Sequence, residues 1–417
     1  MTGAAHPAAP VMRDPGLDDW LEQAALAVGT PAYVYFTDPV ITRIAALQAA
    51  FAGRFTLSFA AKCNPNPALL GWLAPRIGWL DVSSIGEFRL GCGAGWDPAR
   101  LSFTGPGKRP GELREAIAAG LGELVVESVA EAVMADAIAS SLGCVQDVLL
   151  RIAPARVPKG FGDQMAGRPS AFGIDVEDMH VDIPRILALP ALRVTGLHIY
   201  SGTQCLKPDA IVENWQGFIA IFREICGTYG LVPEKLVFGS GLGIPYHAGD
   251  VAPDLGTVAA GILPDLDALK AEPAFRAARL VLELGRYLVG EAGYFLTRVT
   301  AVKHSRGNRI AICDGGLNNH LPASGHFGMV IHRNYVMHRV GLGAADPEKV
   351  DIVGPLCTSI DRLASGVVLP RLMPGDLIAV HASGAYGLTA SPVHFISHPL
   401  PREVMVSDGT LRDISRL

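Results

Sequence analysis

The sequence predicts an α/β chain: a (β/α)8 TIM barrel followed by a C-terminal all-β, Greek-key-like domain. Two observations predict it. From about residue 40 to 290, short apolar runs alternate with amphipathic, Ala-rich stretches in eight strand-then-helix units. After Arg286 the texture changes to short β-type runs separated by Gly, Pro and Asp turns, without a long helical pattern. The barrel is accordingly placed at 40–288, and the β-domain at 1–39 and 289–417.

In chain order, the barrel strands are read at 55–61, 79–83, 101–105, 123–127, 147–153, 194–200, 235–240 and 279–283. Helical patterns lie between them, for example at 67–73, 111–119, 128–140, 208–229 and 253–271. Polar or Gly-rich clusters follow the strand ends, where such barrels build their sites. A lone β-type run at 30–36 precedes the first barrel helix and is expected to join the β-domain. That domain's own runs are read at 294–302, 309–313, 350–353, 377–380 and 394–397. The segment 156–172, with Gly160, Gly162, Gly167 and Pro169, is long and reads as a mobile lid.

The composition narrows the function. The 417 residues suffice for two domains, and 49% hydrophobic with 18% charged residues describes a globular enzyme. A net charge of -5 disfavours nucleic acid as a partner. Seven dispersed cysteines form no paired framework, which suggests reduced thiols and a cytoplasmic location. Met1 to Pro15 lacks a basic-then-apolar leader pattern, and no stretch of about 18 uncharged apolar residues suggests a membrane span. No metal-ligand set is assigned.

Three motifs carry chemistry. Lys62 follows the first apolar run, aimed at a buried site where a bare ammonium is expensive; the alternative is a lysine that snorkels to the surface. Gly239-Ser240-Gly241-Leu242-Gly243 closes the seventh strand, where backbone amides can crowd an anion and a following helix start would add dipole attraction; a plain tight turn uses the same residues. Glu283-Leu284-Gly285-Arg286 ends the eighth strand, where a carboxylate suits a pyridine nitrogen and Arg286 a phosphate; a structural ion pair is the alternative. Taken together, they make Lys62 a Schiff-base lysine for pyridoxal phosphate.

These runs resemble the alanine-racemase-like (fold type III) family of pyridoxal-phosphate enzymes, and most of all its diaminopimelate and ornithine decarboxylase branch. The resemblance spans Thr30-Pro31-Ala32-Tyr33 to Ser397-His398-Pro399, through Asp81-Val82-Ser83-Ser84, Gly354-Pro355-Leu356-Cys357 and Gly384-Ala385-Tyr386-Gly387. It implies a decarboxylase using pyridoxal 5'-phosphate in a homodimer. Lys62 would hold the cofactor and Glu283 its pyridine nitrogen, while Gly241, Gly285, Arg286 and Tyr386 would hold the phosphate and Gly239 and Ser240 would line the cofactor site. Cys357 would reach across the dimer interface as the general acid. Asp81 and Arg151, at strand ends, would orient the reacting group or pair with each other. Thr203 lies by the same mouth.

Departures from the family pattern bear on the substrate. His198-Ile199-Tyr200-Ser201 stands where the family usually has His-x-Gly-Ser, so Tyr200 takes the ring-stacking position and His198 lies two residues earlier. Thr358 replaces the acidic residue with which diamine decarboxylases grip a distal ammonium. Leu321 replaces the Arg with which diaminopimelate decarboxylases grip a distal carboxylate. A site lacking both grips rejects such substrates. Asn318-Asn319-His320-Leu321 is more similar to a side branch from biosynthetic clusters that includes decarboxylases of carrier-protein-linked aminoacyl groups. Thr358, Asp361 and His320 are then the expected substrate contacts. The alternatives are diaminopimelate decarboxylation, amino-acid racemisation and non-catalytic cofactor binding.

Overall fold

Eight parallel strands close on themselves in the computed structural model, which describes residues 15–327, 332–341 and 346–416. They are Thr56–Ala60, Trp79–Val82, Leu101–Phe103, Glu123–Val126, Gln146–Ala153, Leu192–Ile199, Lys235–Gly239 and Arg279–Leu284. Each pairs in parallel with the next, and the eighth pairs with the first, so the barrel has no open edge. Val125, Leu149, Val237 and Val281 pack together as one buried cluster. Local chemistry sets the helix starts: Ser84 and Ser128 accept from the backbone N–H of Glu87 and Glu131. Gly143, at φ +68°, ends the helix Val129–Leu142 where a side chain would be strained.

At the N-terminal end of the barrel, Lys235, the first residue of the seventh strand, is buried in an ion pair with Glu123. Its Nζ lies 3.2 Å from the centroid of the Trp79 ring. Burial lowers the ammonium to about 8 against the pull of Glu123.

By packing, the chain divides into two units. One comprises Arg43–Gly243 and Ala252–Tyr287, and holds the barrel; the other comprises the described residues within Met1–Thr42, Ile244–Val251 and Leu288–Leu417. In the second unit, Ala32–Phe36 pairs antiparallel with Gly293–Ser305 and parallel with Arg402–Ser407, so the lone early run does join the β-sheet. Three expectations change. Residues 394–397 form a 3-10 turn, Phe395–Ser397, because Ile396 and Ser397 take φ of 61° and 57°, which no strand ladder accepts. The sequence reading also passed over the strands Met337–Arg339, Arg362–Pro370, Arg402–Ser407 and Thr410–Asp413. The helix after the seventh strand begins only at Leu255, so Gly241–Gly243 does not open a helix. Among the described residues no helix is long and apolar enough to cross a membrane. The reading of Met1 to Pro15 as leaderless lies almost wholly outside the described residues.

Candidate active site

Strand register brings the expected side chains to one level at the C-terminal ends of the barrel strands. Ala60 stands opposite Asp81, Arg151 opposite His198, and Glu283 between Ser58 and Gly239. Two residues past Ala60, Lys62 sits in the 3-10 turn Ala61–Cys63, with its Nζ 5.3 Å from the centroid of the Tyr200 ring. His198 Nε2 donates to Glu283 Oε2 at 2.8 Å, and both side chains are buried. Burial works to raise the Glu283 carboxyl, but the hydrogen bond from His198 and the charges of His198, Lys62 and Arg151 outweigh it and pull it to about 2. Asp81 moves the other way: burial and then the charge of Glu283 raise it, against Lys62 and a hydrogen bond from Thr104. Of the two carboxyls, Glu283 is the one held ionised. Asp81 Oδ2 is buried with no hydrogen-bond partner.

Asp81 and Arg151 do not pair with each other. Arg151 Nη1 donates to both oxygens of buried Glu127 at 3.0 Å, and its guanidinium lies 4.8 Å from the Phe172 ring. Glu127 also accepts from the backbone N–H of Gly105 at 2.7 Å and of Gly173 at 3.1 Å. The sequence reading missed Glu127 and Thr104 as members of the site. The only signal was their position at strand ends, beside residues that were found.

The glycine run packs closely against aromatic rings, leaving no room for a side chain at Gly239 or Gly241. A Cβ on Gly239 would come within 2.5 Å of the Tyr200 ring, and Gly241 has φ +67°. Ser240 donates its N–H to the Glu283 carbonyl at 3.1 Å. A Cβ on Gly285 would lie 3.3 Å from Cys63, and Arg286 starts the short helix Arg286–Val289. Thr203 pairs with Asp163.

The remaining candidates lie in the β-unit. Cys357 is an exposed free thiol in the turn between Pro347–Val353 and Arg362–Pro370, and Thr358 follows it half-buried. Asp361 is fully engaged by backbone: Oδ1 accepts from Leu317 N at 2.6 Å and Oδ2 from Leu356 N at 2.8 Å. His320 is buried, and both ring nitrogens are used: Nδ1 accepts from Ala323 N at 3.1 Å and Nε2 donates to Ser383 Oγ at 2.9 Å. Burial lowers its imidazole to about 3, which keeps it neutral. These bonds make Asp361 and His320 pieces of framework rather than groups open to a substrate. Tyr386 is half-buried, at φ 58°, with its ring 6.0 Å from that of Phe327.

An ionised carboxylate and an orphaned carboxyl oxygen in the barrel mouth, a lysine beside an aromatic ring, and side-chain-free amides suit the ring nitrogen, aldehyde and phosphate of pyridoxal 5'-phosphate. The barrel and its site thus define a pyridoxal-phosphate enzyme. The family model described as pyridoxal-dependent decarboxylase, pyridoxal binding domain, matches residues 37–290, and the chain belongs to this family: it is a pyridoxal 5'-phosphate-dependent decarboxylase. The chain is 33% identical to the L-glutamyl-[BtrI acyl-carrier protein] decarboxylase of Niallia circulans over 394 residues, 93% of this chain and 91% of that protein. It is 32% identical to the diaminopimelate decarboxylase of Zymomonas mobilis over 399 residues, 93% of this chain and 90% of that one. The solved Helicobacter pylori diaminopimelate decarboxylase complexed with L-lysine matches with a TM-score of 0.82 at 28% identity, covering 95% of this chain and 96% of that one.

Proposed function

We propose that the protein decarboxylates an aminoacyl group tethered to a carrier protein, working in the cytoplasm as a homodimer with sites completed across the interface. The observation that carries the substrate reading is the pair Leu321 and Thr358, which stand where the free-substrate branches keep an Arg and an acid. An apolar side chain and a hydroxyl leave a charged distal end unpaired, whereas a thioester-linked group presents none there. The likeness to a carrier-protein glutamyl decarboxylase supports the same choice. Diaminopimelate decarboxylation remains the second reading, supported by relatives of that name at similar identity.

When bound, pyridoxal phosphate supplies an electron sink for the charge left on the substrate carbon as CO2 departs. Lys62 holds the cofactor through its Nζ and afterwards moves protons there. Glu283, ionised and steadied by His198, keeps a proton on the pyridine nitrogen. The N–H of Gly241, with Gly285, Arg286 and Tyr386, would receive the phosphate. Tyr200, whose ring lies beside Lys62 Nζ, would help hold the cofactor. Asp81, whose carboxyl is pushed up by burial and the charge of Glu283, would offer its unpartnered oxygen to the reacting group. Cys357, presented across the dimer interface, gives its Sγ proton to the substrate carbon.

The test is a steady-state comparison of CO2 release from carrier-linked glutamate, free glutamate, ornithine and diaminopimelate. The carrier-linked substrate should lead. Free diaminopimelate at an ordinary enzymatic kcat/KM, about 10⁴ M⁻¹s⁻¹ or above, would assign the chain to the second reading.

A further inference from the structure

The segment read as a mobile lid is fastened at two places within the barrel unit. Asp163–Gln164 pairs antiparallel with Gly202–Thr203, and further bonds run from Gly162 N to the Thr203 carbonyl at 2.9 Å and from Met165 N to the Ser201 carbonyl at 2.8 Å. At its far end, Phe172 lies against Arg151 and Gly173 donates to Glu127. Just before the first of these, Phe161 is a large apolar side chain that the loop buries, 7% exposed. Its ring lies on two glycines. A Cβ on Gly241 would come within 2.4 Å of Phe161, and one on Gly202 within 3.1 Å. A loop held this way is a fixed cap, and Gly241 belongs to the run assigned to the cofactor phosphate.

We infer that Phe161 is a positioning residue that clamps the cap onto the phosphate cradle, so that seating of the cap and retention of the cofactor are coupled. This rests on the reading of Gly239 to Gly241 as that cradle. The physical reason is packing: a rigid ring against Gly241 leaves its backbone no room to swing. The amides that face the phosphate are therefore already oriented. Removing the ring frees both the backbone of Gly241 and the cap.

The experiment compares wild-type holoenzyme with Phe161→Ala, Phe161→Leu and Arg286→Ala. Cofactor loss after dilution is followed by visible absorbance, and cap opening by tryptic cleavage after Arg156 or Lys159. Phe161→Ala should lose pyridoxal phosphate at least about tenfold faster, a ratio equivalent to 1.4 kcal/mol, and be cleaved faster. Phe161→Leu, which keeps apolar bulk over the glycines, should stay near wild type in both and guards against a misfolded alanine variant. Faster cleavage of Phe161→Ala with wild-type retention would overturn the coupling, and no change in either would overturn the anchor. Arg286→Ala separates this from the cradle itself: if it sheds cofactor while Phe161→Ala does not, the cradle stands and the clamp falls. If neither sheds it, both fall.

Discussion

Glu283 and His198 show what one residue's surroundings decide. A buried carboxylate normally drifts toward its neutral form, yet here the His198 hydrogen bond at 2.8 Å and the nearby cations hold it ionised. That charge is what a protonated pyridine needs. Glu283→Gln should therefore keep the cofactor through its phosphate contacts but lose about 10²–10³-fold in turnover, as when a charge-stabilising group is removed; steady-state CO2 release beside the visible spectrum checks it. Lys62→Ala should lose the visible band altogether, and borohydride reduction of the wild type should attach the cofactor to Lys62 and no other lysine. These residues were legible because strand ends can be read from apolar runs, and charged groups at such ends are few. Their partners were not. Arg151 looked suited to Asp81, but its guanidinium pairs with Glu127, and only register and side-chain direction, which the sequence does not display, decide between the two.

Among the elements, the barrel strands were legible to within a residue or two, since a strand buried on both faces reads as a continuous apolar run. The β-domain was less so. Arg362–Pro370 is half-exposed and mixes an Arg with small residues, while Arg402–Ser407, though mostly buried, opens on Arg and Glu, and their signal is correspondingly weak. The apparent strand at 394–397 failed because two positive φ values, invisible in composition, turn the chain there. Two elements carry tests of their own. Lys235→Met should leave Glu123 buried and unpaired, costing about 3–5 kcal/mol, while the further change Glu123→Leu should recover most of the loss; denaturant melts of both variants measure it. In the Cys357 turn, the Asp361 carboxylate joins Leu317 N to Leu356 N, and Gly316 and Gly354 leave it room: a Cβ on either would meet an Asp361 oxygen within 2.4 Å. Asp361→Ala should loosen that turn, seen as faster alkylation of Cys357 with the visible band of bound cofactor unchanged.

At the scale of the whole molecule, the residues assigned to the proposed chemistry fall in different units: Lys62, Glu283 and the glycine run in the barrel unit, Cys357 and Tyr386 in the β-unit. Sequence motifs assign residues to both sets, because each motif is itself a short contiguous run. What they could not give is which copy of Cys357 serves which Lys62, since that is a matter of assembly rather than of any local pattern. The homodimer reading answers that each barrel is completed by the other chain's thiol, and symmetry makes the answer countable. Mixing Lys62→Ala chains with Cys357→Ala chains and letting them reassort makes half of the dimers mixed. In a mixed dimer one site combines both defects and the other has neither. About a quarter of all sites should therefore recover, whereas chains that each supply their own lysine and thiol would recover none. Measuring CO2 release before and after reassortment, with mixed dimers confirmed by differently tagged chains, separates the two arrangements.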